Sequence, residues 1–159
     1  MENRIMTLMT INGTELANEG SIEMALVHFY KAFNQQDLSL MEQNWLQKEE
    51  ASMSNPLGGL KRGWSEIKTV YESIFNGPAE VYVEYHDFSI FDGDGFFAAV
   101  GRERGYFSIG GKSMDLKIRT SRTFVFQDGT YRQLHHHGSI ESPELLASYQ
   151  NAVRTGEIA

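Results

Sequence analysis

The side chains best able to do chemistry gather in one stretch near the C-terminal end, from Thr120 through Arg122 and Asp128-Gly129 to His135-His136-His137. An Asp-Gly pair between two runs rich in β-branched and aromatic residues is a strong signal for a two-residue hairpin turn. Such a turn sets Gln127 opposite Thr130, Phe126 opposite Tyr131, Phe124 opposite Gln133 and Arg122 opposite His135. Side chains alternate faces along a strand, so Arg122, Phe124, Phe126, Tyr131, Gln133, His135 and His137 are expected on one side. Thr123, Val125 and Leu134 are expected on the other. An ionised arginine is not buried without a partner. Arg122 therefore either pairs with an internal acid such as Glu84 or Glu103, or offers itself to a ligand. In the first case the histidines fill sheet positions or a subunit interface. In the second, Arg122 would hold a carboxylate or a developing enolate, with His137 beside it. His135, kept neutral by the neighbouring cation, would then be the candidate catalytic general base.

The spacing Gly129, five residues, His135-x-His137, three residues, Glu141 resembles the front half of the cupin metal motif. The closing glycine of that pattern falls on Ser148, and only 18 residues follow Glu141, too few for the second half-motif. No metal and no cofactor are expected. There is no cysteine, which removes disulfides, thiolate zinc sites and thiol nucleophiles together.

These residues need elements to position them. Ser21 is a candidate N-cap, and Ile22, Leu26, Phe29, Tyr30 and Phe33 form one stripe of an amphipathic helix. Asp37 can cap a second, short helix carrying Leu38, Met41 and Trp45. Residues 47–63 are polar and turn-rich, which predicts an irregular connection with Lys61-Arg62 as a solvated loop. A third helix presents Ile67, Val70, Tyr71, Ile74 and Phe75 and stops at Gly77-Pro78, with the glycine in the C′ role. Strands are expected over 80–91, 96–109, 114–127 and 130–140. Ser142-Pro143-Glu144 then opens a closing helix. Helices followed by a run of strands predict an α+β fold. The expected form is a cone-shaped, curved antiparallel sheet, with three N-terminal helices over its concave face and one C-terminal helix. Phe29, Trp45 and Trp64 would wall a hollow beneath the helices, with Asn55 adding a neutral hydrogen bond.

At 159 residues, with 41% hydrophobic and 12% aromatic side chains, the chain suits one domain with one core. The expected division is an N-terminal arm over 1–19 and a single domain over 20–159. A net charge of −7 argues against a non-specific grip on phosphate backbones, so no nucleic-acid partner is expected. The first twenty residues lack the unbroken apolar stretch of a signal peptide, and no stretch approaches the roughly 20 apolar residues of a membrane span. A cytoplasmic location with no membrane partner is the expectation.

Residues 25–37 with the Trp45 helix behind them, Asn55-Pro56-Leu57-Gly58, Arg62-Gly63 and the stretch 120–139 together resemble the SnoaL-like, or nuclear transport factor 2-like, superfamily. The last stretch looks especially like the association domain of calcium/calmodulin-dependent protein kinase type II and its stand-alone bacterial relatives. The resemblance spans roughly residues 20–140 and implies the cone-shaped fold. It does not imply one chemistry, because the superfamily holds isomerases, dehydratases, cyclases and assembly modules. Aligned with ketosteroid isomerase, the tyrosine proton donor would fall on Phe29, the general-base aspartate on Asn55 and the oxyanion-hole aspartate on Arg122. Phe and Asn cannot do that proton chemistry, so ketosteroid isomerisation is not expected. The leading expectation is a cofactor-independent domain that binds a small organic, anionic molecule, as an isomerase, dehydratase or cyclase if it turns over. The alternative is a non-catalytic assembly module. A homodimer through the sheet face bearing Thr123, Val125 and Leu134 fits either.

Overall fold

The computed structural model describes residues 8–159. Eleven elements follow one another: β1 (Thr10–Ile11), α1 (Ile22–Asn34), α2 (Leu38–Asn44), β2 (Ser52–Ser54), β3 (Leu60–Arg62), α3 (Gly63–Asn76), β4 (Glu80–Gly93), β5 (Phe96–Ile109), β6 (Lys112–Gln127), β7 (Thr130–Ile140) and α4 (Pro143–Thr155). The expected caps form. Ser21 Oγ accepts from Met24 N, Asp37 Oδ1 from Leu40 N and Ser142 Oγ from Leu145 N, each at 3.0 Å. Each side chain satisfies a backbone donor that has no partner inside its own helix. Gly77 ends α3 in an extended conformation (φ −78°), not the left-handed one expected of it. It must still be glycine, because a Cβ there would stand 2.6 Å from the Ser73 carbonyl oxygen.

The architecture is α+β, with four helices and an unclosed, curved sheet. The sheet is larger than the expected four-stranded meander. Its order is β1-β4-β5-β6-β7-β2-β3. β4 through β7 pair antiparallel as expected, but β2 lies parallel to β7, so the sheet is mixed. The segment 47–63 thus supplies two strands where an irregular connection was expected. β1 lies on the far edge, with Thr10 opposite His86 and Ile11 opposite Tyr85. Ile11 is wholly buried, so this part of the expected arm joins the core. Residues 1–7 of that arm lie outside the described residues. Among the described residues no helix is long and apolar enough to cross a membrane.

The hairpin between β6 and β7 turns at Asp128-Gly129, both with positive φ (54° and 83°), as a two-residue turn of the mirror-image type requires. Register starts as expected, with Gln127 opposite Thr130 and Phe124 opposite Gln133. It then slips. Thr123 pairs with His135, which leaves Leu134 as the extra residue of a β-bulge. Beyond the bulge Arg122 stands opposite His136, Ser121 opposite His137. One extra residue moves every later side chain to the other face. The inner face receives Arg122, Phe124, Gln133 and His136, all at most 6% exposed. His135 and His137 turn to the outer face.

Candidate functional site

Between the inner face of the sheet and α1, α3 and α4 lies a cavity of about 460 Å³. Strand alternation makes most of its walls apolar, through Val81, Val83, Phe107, Leu116 and Ile118. α1 contributes Phe29 and Phe33, α3 Val70 and Tyr71, and α4 Tyr149 and Val153. Three polar side chains interrupt this lining deep inside: Glu103 from β5, Arg122 from β6 and His136 from β7.

Arg122 is 2% exposed, and its partners are internal. Its Nη2 donates to Glu103 Oε1 at 2.8 Å, its Nη1 to Gln133 Oε1 at 2.8 Å and its Nε to the Tyr30 hydroxyl at 3.3 Å. The guanidinium carbon lies 3.5 Å from the Phe29 ring centroid, a cation–π contact. Of the two readings open in the sequence, the internal acid is therefore realised, and it is Glu103. Glu84 is engaged elsewhere, accepting from Arg104 Nε at 2.7 Å. Tyr30 donates to the same Glu103 oxygen at 2.8 Å. Behind Gln133 the chain of bonds continues through Asn44 to the Ala25 carbonyl, with Asn44 Nδ2 also 3.2 Å from His28 Nδ1. Glu103 Oε2 has no hydrogen-bond partner among the described residues. Three of the five guanidinium N–H donors are engaged by these partners, and the Tyr71 hydroxyl is a further hydrogen-bonding neighbour of Arg122.

Electrostatics keep this floor close to neutral. Burial would discharge the Arg122 guanidinium, but Tyr30 and Glu103 outweigh it and hold its pKa above the ordinary value. Burial pushes the Tyr30 hydroxyl well up, so it stays a neutral donor. His136 is pushed well below the usual imidazole range, chiefly by burial and then by the Arg122 charge. Its Nδ1 is buried with no hydrogen-bond partner. Gly138 gives the ring its room, since a Cβ there would come within 3.2 Å of His136 Nε2. At the cavity's wall by β3, Lys61 is half-buried and not the solvated loop residue expected. Tyr149 on α4 is pushed up to about 12 by burial.

The residues singled out in the sequence divide into three groups. Phe29, Asn55 and Arg122 line the cavity. Trp45 and Trp64 are buried but stand behind it. Trp45 is fully buried and its ring lies 6.4 Å from Tyr71, while Trp64 Nε1 donates to Glu42 at 3.0 Å and its ring stacks on Tyr71. Asn55 Oδ1 accepts from Leu57 N at 2.9 Å and so shapes its own loop. His135 and His137 are not beside Arg122, because the Leu134 bulge puts them on the opposite face. His135 Nδ1 is 2.7 Å from Ser52 Oγ, and burial lowers its pKa. His137 is exposed. Glu141 instead bonds Arg102 at 2.9 Å, and no group of three His, Cys, Asp or Glu side chains converges among the described residues. The side chains that sequence reasoning passed over are His136 and Tyr30. Glu103 was named only as a partner, although its place in the inward series Phe97, Ala99, Glu103, Phe107 marks an acid aimed at the core.

The fold recurs in solved structures. A protein with a cystatin-like fold from Caulobacter vibrioides matches with a TM-score of 0.64 at 20% identity, over 87% of this chain and all (100%) of that one. A ketosteroid isomerase-like protein from Erwinia carotovora atroseptica matches with a TM-score of 0.64 at 16% identity, over 77% and 95%. The CaMKII hub of S. rosetta matches with a TM-score of 0.65 at 13% identity, over 79% and 99%. At such identities the likeness speaks for the fold. A comparison with curated proteins found no match. The family model described as the SnoaL-like domain matches residues 22–143, from the first residue of α1 to the first of α4. The chain belongs to the SnoaL-like domain family.

Proposed function

We propose that this domain binds a small, largely apolar organic molecule in the cavity beneath α1, α3 and α4. One observation carries the reading: a hollow of about 460 Å³ with apolar walls and a cluster of buried polar groups at its floor. Ligand sites are of this size and make-up, with few polar groups fixing orientation. A side-chain core of the same sequence would close such a space, since interiors pack densely. If there is turnover, it is acid–base chemistry without a cofactor, as in an isomerisation, dehydration or cyclisation. The groups in place for it are Glu103, Arg122 and neutral His136. His135, on the far face of the sheet, gives up the role of base that the expected register lent it. Native mass spectrometry of gently purified protein tests the binding. Wild type should carry a retained organic mass that Leu116→Trp, which fills the hollow, does not. Bare protein in both cases, with no gain in melting temperature across a library of apolar fragments, rules the reading out.

A second reading rests on a different surface. Phe91, Phe96, Ala98, Val100, Thr123 and Val125 share the outer face of β4, β5 and β6, and Phe91, Phe96 and Val100 are 43–49% exposed. Contiguous exposed apolar side chains mark contact surfaces. A homodimer through this face would cover them, and it would sit beside the ligand cavity without competing with it. The hub named among the structural neighbours is in keeping with such assembly. Leu134, expected in that interface, is the half-buried residue of the bulge and packs against the core.

A further inference from the structure

The polar floor does more than orient a ligand: its charge balance selects one. The inference rests on the proposed cavity function and narrows its ligand. Arg122 and Glu103 both line the cavity, and they are already each other's counterions at 2.8 Å. A third ionised group brought to this floor would leave water without gaining an uncompensated opposite charge. Its attraction to the guanidinium would be offset by repulsion from the carboxylate, while its desolvation cost stays whole. His136 adds no positive charge to offset that cost. The hydrogen-bonding capacity left at the floor is mixed. Glu103 Oε2 is a free acceptor, and His136 Nδ1 is a buried atom with no partner that donates or accepts according to its tautomer.

We infer that the cavity selects a ligand whose buried head group is uncharged and both donates and accepts hydrogen bonds, as a primary carboxamide or an alcohol does, and disfavours the matching carboxylate. The anionic ligand expected from an isolated Arg122 is thereby replaced. Removing the Glu103 charge should invert the preference, because an incoming carboxylate would then take its place as counterion to Arg122.

The test uses matched pairs with identical apolar bodies: 1-naphthylacetamide against 1-naphthylacetate, and 4-phenylbutanamide against 4-phenylbutanoate. Binding is measured by isothermal titration to the full chain and to Lys61→Met, which removes the one lysine lining the cavity. In Lys61→Met the amides should bind at least about tenfold more tightly than their acids, a modest share of a carboxylate's desolvation cost. In Lys61→Met/Glu103→Gln the acids should bind at least as tightly as the amides. Equal binding of the pairs, or tighter binding of the acids while Glu103 is present, overturns the inference and leaves the cavity reading standing. If Glu103→Gln does not fold, the ranking in Lys61→Met decides alone. If no probe binds, the head group of any molecule retained in native mass spectra decides, a carboxylate against the inference and a neutral group for it. No probe bound and nothing retained defeats both.

Discussion

Removing Arg122 isolates a buried carboxylate, and the consequence can be worked from the distances. In Arg122→Met, Glu103 (5% exposed) keeps only the Tyr30 hydroxyl, and Gln133 Oε1 loses its donor. Breaking a buried pair by removing one partner costs about 3–5 kcal/mol. In a chain of this length each kcal/mol lowers the melting temperature by about 2–4 °C, so a fall of roughly 6–20 °C is expected. Glu103→Leu should cost a similar amount, since it strands the guanidinium. The double variant Arg122→Met/Glu103→Leu leaves no orphaned charge and should recover more than half of the loss. A coupling energy of at least about 2 kcal/mol follows for the cycle. Urea unfolding followed by the fluorescence of Trp45 and Trp64, the only two tryptophans, measures all four corners. Single losses below about 1 kcal/mol, or a double variant equal to the sum of the singles, would refute the pairing as an energetic unit.

Further outcomes follow from other features. His136 has a folded pKa below its unfolded value. The unfolded chain therefore binds the extra proton as pH falls through about 6.5, and stability is lost on acidification from there toward the depressed folded value. Replacing His136 with Gln should flatten the slope of stability against pH between 5 and 6.5 by up to about 1.4 kcal/mol per pH unit, read from urea midpoints. An unchanged slope would mean that the imidazole is solvated. Asn44→Leu removes the acceptor of Gln133 Nε2 and should cost about 1–3 kcal/mol. Gly101→Val would press a Cβ to within 2.5 Å of the Phe88 Cβ, and calorimetry should show a clear fall in melting temperature. For the outer face, Phe96→Asp with Val100→Asp should yield monomers in sedimentation velocity runs while the single-chain fold survives. If wild type is itself monomeric at micromolar concentrations, the dimer reading fails.

Much of the scaffold was legible because local chemistry announces it. Ser21, Asp37 and Ser142 are cap residues in front of apolar periodicity, and Asp128-Gly129 names its own turn. The short strands β1, β2 and β3 were not legible. They are two or three residues long, too short for their alternation to stand out, and exist because neighbouring strands supply their hydrogen bonds. The parallel pairing of β2 with β7 has no local signature at all. The Leu134 bulge misled the site reading most. Three consecutive histidines show no apolar alternation that would betray a slip, and no glycine marks the bulge. Arg122 was placed correctly on the inner face, while the imidazole beside it is that of His136, not His135. Its partner was among the acids named, and the burial of both groups decided the choice.

A high-resolution crystal structure of the gently purified protein tests the cavity most directly. Ordered density for an organic molecule should fill the space between Val83, Phe107, Leu116 and Ile118, with its polar end within hydrogen-bond distance of Arg122 or Glu103 Oε2. Side chains packed through that space, with Arg122 turned away from Glu103, would contradict both the binding site and the charge balance on which its selectivity rests.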